Sequence, residues 1–167
     1  MKNQKTRTHL LFVCRAGLIA ALYTALTCAV GAIGLASGMI QFRVSEALCV
    51  LAAFTPAAIP GLTVGCFLSN LLTGCIWQDV VFGTLATFLG ALLGWMLRRR
   101  AYLIPLPTVA ANTLIVPFVL AYGYRMQEGL WFLMMTVGAG EILSAYVAGL
   151  ALYFALRPHS HRLFPRK

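Results

Sequence analysis

The residues most able to do chemistry are the chain's four acids, Glu46, Asp79, Glu128 and Glu141. A carboxylate accepts hydrogen bonds on two oxygens and can neutralise a cation. Gln41, Arg43, Asn70, Gln78 and Asn112 add amide and guanidinium groups that donate and accept. Metal chemistry is not indicated. His9, His159 and His161 lie at the two tails, and Cys14, Cys28, Cys49, Cys66 and Cys75 form no CxxC pair. Each cysteine sits in or beside an apolar run and reads as a small apolar helix residue. A membrane-embedded enzyme would need a nucleophile or metal cluster at mid-depth, and the sequence offers neither.

Every polar residue also has a plainer reading. Asp79 or Glu46 could cap a helix, where a carboxylate suits the dipole. Arg43 could pair with Glu46 three residues on. Arg125 and Glu128 read as solvated loop charges. Glu141 lies between Gly140 and Ile142, far from any cap, and a structural salt bridge is its alternative role. Asn70 and Asn112 could be hydrogen-bond links between helices.

The elements that must position these residues follow from composition. The chain has 167 residues, 60% hydrophobic and only 10% charged, with a mean hydropathy of +0.85. Soluble domains run nearer 45–50% apolar and about 25% charged. Lipid allows such apolar side chains to face outward, so the sequence predicts an all-α integral membrane protein, a single membrane domain over residues 1–167 in contact with the bilayer. Apolar runs fall at Leu10–Leu35, Val44–Phe54, Ile59–Leu72, Val80–Leu97, Leu103–Tyr122 and Leu130–Leu156. Residues after Met1 are basic and the first run is long, so it reads as a retained span rather than a cleaved signal.

The second and third runs are short, with Pro56 and Pro60 between them. They could be one kinked span or two tilted ones. Six spans with the N-terminus inside place 11 of the 13 Lys and Arg residues in the cytoplasm, leaving only Arg43 and Arg125 outside. Five spans would put both Arg98–Arg100 and the basic C-terminus outside, against the positive-inside rule. The prediction is six transmembrane helices with both termini cytoplasmic. The formal net charge of +9 then reports orientation, and nucleic acid is not an expected partner.

This topology puts Gln41, Arg43, Glu46, Asn70, Gln78 and Asp79 in the outer half and Glu141 near mid-membrane. Asn112 lies within the fifth run. A pocket open to the outside needs such residues from several helices, because polar groups in spans turn inward. A conducting pore would carry them along its whole length. Phe42, Trp77, Tyr122, Tyr124 and Trp131 flank the cluster as an interfacial belt or as stacking surfaces for a flat ligand. The pairs Ala16/Ala20, Ala21/Ala25, Gly61/Gly65 and Gly90/Gly94 allow close helix approach, inside the bundle or against another membrane protein. There is no internal repeat of the kind seen in self-contained inverted-repeat transporters.

The ordered blocks QFRVSEA (Gln41–Ala47), IPGLTVGCFLSNLLTG (Ile59–Gly74), DVVFGTLATFLGALLGWMLRR (Asp79–Arg99), PLPTVAANTLIVPFVLAYG (Pro105–Gly123) and VGAGEILSAYVAGLAL (Val137–Leu152) carry a resemblance. From about Ala16 to Arg157 the chain resembles the QueT family, the queuosine-precursor transporter proteins. The resemblance implies the substrate-binding S component of an energy-coupling factor (ECF) transporter: a multi-pass six-helix bundle of the bacterial cell membrane, not an enzyme and without a cofactor. Such a protein binds a 7-deazaguanine, such as the 7-aminomethyl derivative, from outside. It docks on a transmembrane T component and two cytoplasmic ATPases, through small residues of the first helix, here Ala16, Ala20, Ala21 and Ala25. The chain has no GxxxxGKS/T motif, so the nucleotide would bind the partners. For such a ligand, the chemistry of the residues assigns Glu141 or Glu46 to the base edge and Asp79 to the amine. Asn70, Asn112, Gln41 and Arg43 would support them, with Trp77 as a stacking surface. The likeness is weaker over Ile33–Met39, where S components tend to carry a lid. An S component for another vitamin and a self-sufficient small transporter are the alternatives.

Overall fold

The structure, a computed structural model, describes residues 2–32 and 43–164. Gln41, Phe42 and the stretch 33–39 lie outside the described residues. All regular structure among the described residues is helical. Helix α1 spans Lys2–Ala32, a 3₁₀ helix spans Val44–Ala53, and α2 spans Ala58–Leu72. Helix α3 spans Trp77–Met96, and α4 (Leu106–Phe118) runs on into a π turn at Val119–Gly123. The last long segment is α5 (Leu130–Glu141), a π turn at Ile142–Ala148 and α6 (Gly149–Leu156), with a short α7 at Ser160–Leu163.

Among the described residues, four stretches are long and apolar enough to cross a membrane: Thr6–Ala32, Trp77–Met96, Ala101–Gly123 and Leu130–His159. Their outward residues suit lipid, with Leu10, Val13, Leu18, Trp131 and Met135 largely exposed. The chain is an all-helical, multi-pass membrane protein. The other two segments are shorter, at 10 and 15 residues. The 3₁₀ helix is buried from Ser45 through Ala52 and forms the centre of the fold. Its steeper rise carries ten residues over about 20 Å, where an α-helix would reach about 15 Å. Pro56 lies in the turn that follows, and Pro60 falls in the first turn of α2, where its missing N–H is tolerated.

The segments alternate in direction. α1 and α2 run parallel, because Gly61 meets Ala16 and Ile19 while Gly65 meets Ala20 and Tyr23. The 3₁₀ helix returns between them. α3 and α4 are antiparallel, with Gly90 on Thr108 and Gly94 on the Ile104 carbonyl. One end of the bundle gathers Arg43, Asn70, Asp79 and Tyr124. The opposite end gathers Phe54, Arg98, Arg157 and Phe164.

Small residues set these approaches. A Cβ on Gly65 would lie 2.7 Å from Tyr23 Cβ and 3.0 Å from the Ala20 carbonyl oxygen. One on Gly90 would lie 2.6 Å from Thr108 Oγ1. No side chain larger than hydrogen fits there without movement. Both glycine pairs singled out in the sequence therefore work inside the bundle. The aliphatic core centres on Ile19, Tyr23, Leu48, Leu51, Leu62 and Cys66, between α1, the 3₁₀ helix and α2.

Candidate functional site

The polar residues of the bundle form two connected layers. The upper layer sits at one end of the bundle, between the 3₁₀ helix, α2 and α3. Arg43 Nη2 donates to Asn70 Oδ1 at 2.8 Å. Asn70 Nδ2 donates to the backbone carbonyl of Asp79 at 3.2 Å and lies 3.7 Å from Cys66 Sγ. Tyr124 donates to Asp79 Oδ2 at 3.2 Å, while its oxygen accepts from the Ile76 N–H at 3.4 Å. Gly83 gives this layer its room, because a Cβ there would lie 3.1 Å from both Asn70 Nδ2 and Asp79 Oδ1. Burial first, then the Asp79 carboxylate, push the Tyr124 phenol above its ordinary range. It therefore stays a neutral donor at physiological pH.

The second layer is deeper. The Tyr23 hydroxyl donates to Glu46 Oε1. One turn along α1, Thr27 donates to Ser45 Oγ at 2.8 Å. Tyr23 and Thr27 thus fix the 3₁₀ helix through consecutive residues, Ser45 and Glu46, from one face of α1. Glu141, on the last residue of α5, lies near enough to Glu46 and Arg43 for their charges to interact, with Asn112 of α4 beside it. The π turn begins at the next residue, and such turns widen a helix and re-aim its side chains.

Neither carboxylate near a helix start acts as a cap. Glu46 lies in the first turn of the 3₁₀ helix and Asp79 in the first turn of α3, and the cap positions themselves are held by Arg43 and Ile76. Arg43 and Glu46 are held by different partners, Asn70 and Tyr23. Asn70 and Asn112 differ sharply. Asn70 links the 3₁₀ segment, α2 and α3. Asn112 is fully buried, yet both its Nδ2 and its Oδ1 are without a hydrogen-bond partner among the described residues. Glu141 Oε2, Arg43 Nη1 and the hydroxyls of Thr84, Thr108 and Thr113 are also buried and unpartnered. Burying a polar atom unbonded costs about 1–3 kcal/mol, so this cluster marks groups whose partners are not among the described residues.

The remaining predicted site residues fall elsewhere. Trp77 is 67% exposed and makes no part of either layer. Ala20 is buried against Gly65 and Ala16 is half-buried against Gly61, so both serve packing within the chain. Ala21 and Ala25 are exposed. Sequence reasoning missed Tyr23, Thr27, Thr84, Thr108 and Thr113. The signal for Tyr23 and Thr27 was two hydroxyls at four-residue spacing inside the first apolar run. Thr108 and Asn112 share the same spacing on α4.

Buried carboxylates, an arginine and one unpartnered amide inside a lipid-facing helical bundle mark a functional site in a multi-pass membrane protein. The chain belongs to the QueT transporter family, whose sequence model it matches over residues 13–158. That bears out the resemblance read from its motif blocks. It is 39% identical over 100 residues to the queuosine precursor transporter QueT of Lactococcus lactis subsp. cremoris (strain MG1363). The match covers 60% of this chain and 56% of that relative, so it spans little more than half the length of the lactococcal protein. No solved structure matches.

Proposed function

We propose that this protein is the substrate-binding S component of an ECF-type transporter and captures a queuosine precursor, a 7-deazaguanine, from outside the cell. The observation that carries the reading is the set of buried, unpartnered atoms on Asn112, Glu141 and Arg43, in a chain related to a queuosine precursor transporter. A deazaguanine edge presents N–H donors beside a carbonyl. Glu141 accepts the donors, the Asn112 amide matches the remaining donor and acceptor, and Arg43 Nη1 reaches the carbonyl. Glu46, held by Tyr23, sets the electrostatic background. Asp79 at the mouth meets the aminomethyl ammonium of the 7-aminomethyl derivative, and Gln41 belongs to this mouth by its place in the sequence.

The six segments cross the membrane with both termini in the cytoplasm, which puts the Arg98–Arg100 end inside. The exposed Ala21 and Ala25 face of α1 docks on the T component, and two cytoplasmic ATPases drive reorientation and release. The test is ligand identity and affinity. The purified protein should carry a 7-deazaguanine identified by mass. Glu141→Gln should weaken binding about 30-fold or more, the cost of losing a desolvated charged partner. Binding of riboflavin or biotin instead, or wild-type affinity in Glu141→Gln, would overturn the assignment.

A further inference from the structure

The Arg-rich end of the bundle carries a second site, independent of the ligand reading above. A cavity of about 310 Å³ opens there, lined by Arg98 at the end of α3, Arg157 at the end of α6, Ser160, and the rings of Phe54, Tyr153 and Phe164. A neighbouring cavity of about 550 Å³ shares Phe54 and Arg98 and adds Trp95 and Arg99. The aromatic wall is ordered: Phe54 stacks on Tyr153 at 5.2 Å and on Phe164 at 5.6 Å. Arg98 is held in place over the Trp95 ring, 4.2 Å from its centroid, and donates to the Trp95 carbonyl at 3.1 Å. A guanidinium has five N–H donors in a fixed fork, and the Trp95 carbonyl takes one of them.

The charge here is uncompensated. The chain's four acids all lie elsewhere. Glu46 is bonded by Tyr23, Asp79 by Tyr124, Glu141 sits beside Asn112, and Glu128 lies in the loop before α5. Two arginines from separate helix ends converging on one cavity, with no acidic side chain to answer them among the described residues, select an anion. Planar forks that pair two oxygens at once suit a phosphate. The lining and position select its source. The wall is aromatic, and the exposed flanks carry Met96, Tyr102 and Phe154, where lipid tails would lie. We propose that this cavity binds the phosphate of an anionic phospholipid, its head on Arg98 and Arg157 and its upper chains along the aromatic wall.

The probe is an equal mixture of phosphatidylglycerol and phosphatidylcholine offered to the full-length protein in detergent, with retained lipid counted by native mass spectrometry. Wild type should retain phosphatidylglycerol in preference. The double variant Arg98→Gln/Arg157→Gln should lower that preference by roughly 30-fold, the combined effect of two basic residues at an anionic surface. Arg7→Gln/Arg15→Gln, which removes two basic residues outside the cavity lining, should leave it nearly unchanged. Arg157→Gln alone removes only an exposed side chain beyond α6, and should give an intermediate loss in a protein of unchanged melting temperature. Equal retention of both lipids by wild type would overturn the proposal, as would equal losses in the two double variants. Millimolar inorganic phosphate should not displace the lipid. Full displacement would identify a free-phosphate site instead.

Discussion

Arg43 Nη2 donates to Asn70 Oδ1 at 2.8 Å, joining residues 27 apart in the chain. Through the other side of the same amide, Asn70 holds the Asp79 carbonyl at the start of α3. One side chain thus ties three segments together at one end of the bundle, while Arg43 Nη1 is buried without a partner among the described residues.

Asn70→Leu keeps the volume of this bridge and removes its bonds. It leaves a buried guanidinium without its acceptor, so unfolding stability in detergent should fall by about 1.5–3 kcal/mol. Ligand affinity should fall with it, because Arg43 loses the contact that orients it. Thermal or denaturant unfolding of the purified variant checks the first, and equilibrium binding the second. An unchanged melting temperature would show that the bridge contributes nothing.

Gly65 and Gly17 lie on the contact between α1 and α2 and away from it, respectively. A methyl on Gly65 meets Tyr23 Cβ at 2.7 Å, whereas one on Gly17 meets nothing within 4 Å. Gly65→Ala should destabilise by about 1–3 kcal/mol through overpacking. It should also weaken ligand binding, because Tyr23 must shift and its bond to Glu46 shifts too. Gly17→Ala should be neutral or stabilise by about 0.5–1 kcal/mol, from reduced freedom of the unfolded chain. Paired unfolding curves distinguish the two.

The helical membrane class was legible because apolar composition and run length leave a chain few other folds. The chemistry was partly legible: an acid or amide inside an apolar run announces itself by its cost. What Glu46 and Asp79 bond to was not legible. Their position near helix starts is equally compatible with capping, and the choice depends on Tyr23 and Tyr124, 23 and 45 residues away. Thr84 and Thr113 gave no signal, because a hydroxyl inside a helix can bond its own backbone and costs little to place. Val44–Ala53 reads as an ordinary α-helix in its sequence. Its 3₁₀ form belongs to a segment enclosed on every side, where tertiary packing overrides local propensity. The π turns after Phe118 and Glu141 were likewise unannounced, although Pro117 removes a ladder bond just before the first.

Asn112 predicts a conflict between stability and binding. Its amide is fully buried with both ends unbonded among the described residues. Asn112→Leu removes that desolvation cost at similar volume, so the ligand-free protein should become more stable, by about 1–3 kcal/mol. Binding of the proposed 7-deazaguanine ligand should fall at least tenfold, one lost hydrogen-bonding amide in a buried site. The check is a melting curve without ligand beside a binding isotherm. A destabilised variant would mean that Asn112 is a structural link like Asn70.

Tyr124 predicts an alkaline limit. Its hydroxyl donates to Asp79 Oδ2 and accepts from the Ile76 N–H, clamping the start of α3 to the segment after α4. Burial and the adjacent carboxylate raise its pKa above the ordinary 10.0. A raised folded pKa means that the native state holds its proton more tightly than the unfolded chain does. The stability this contributes is fully present below pH 10 and is lost as pH rises through the folded value. Ionisation also places a phenolate against the Asp79 carboxylate. Tyr124→Phe should cost about 0.5–1.5 kcal/mol at neutral pH, towards the low end because Tyr124 is 40% exposed. The difference in stability between wild type and variant should shrink above pH 10. Unfolding of both proteins from neutral to strongly alkaline pH measures it, and a difference that stays constant across that range would show that Tyr124 is not the titrating clamp.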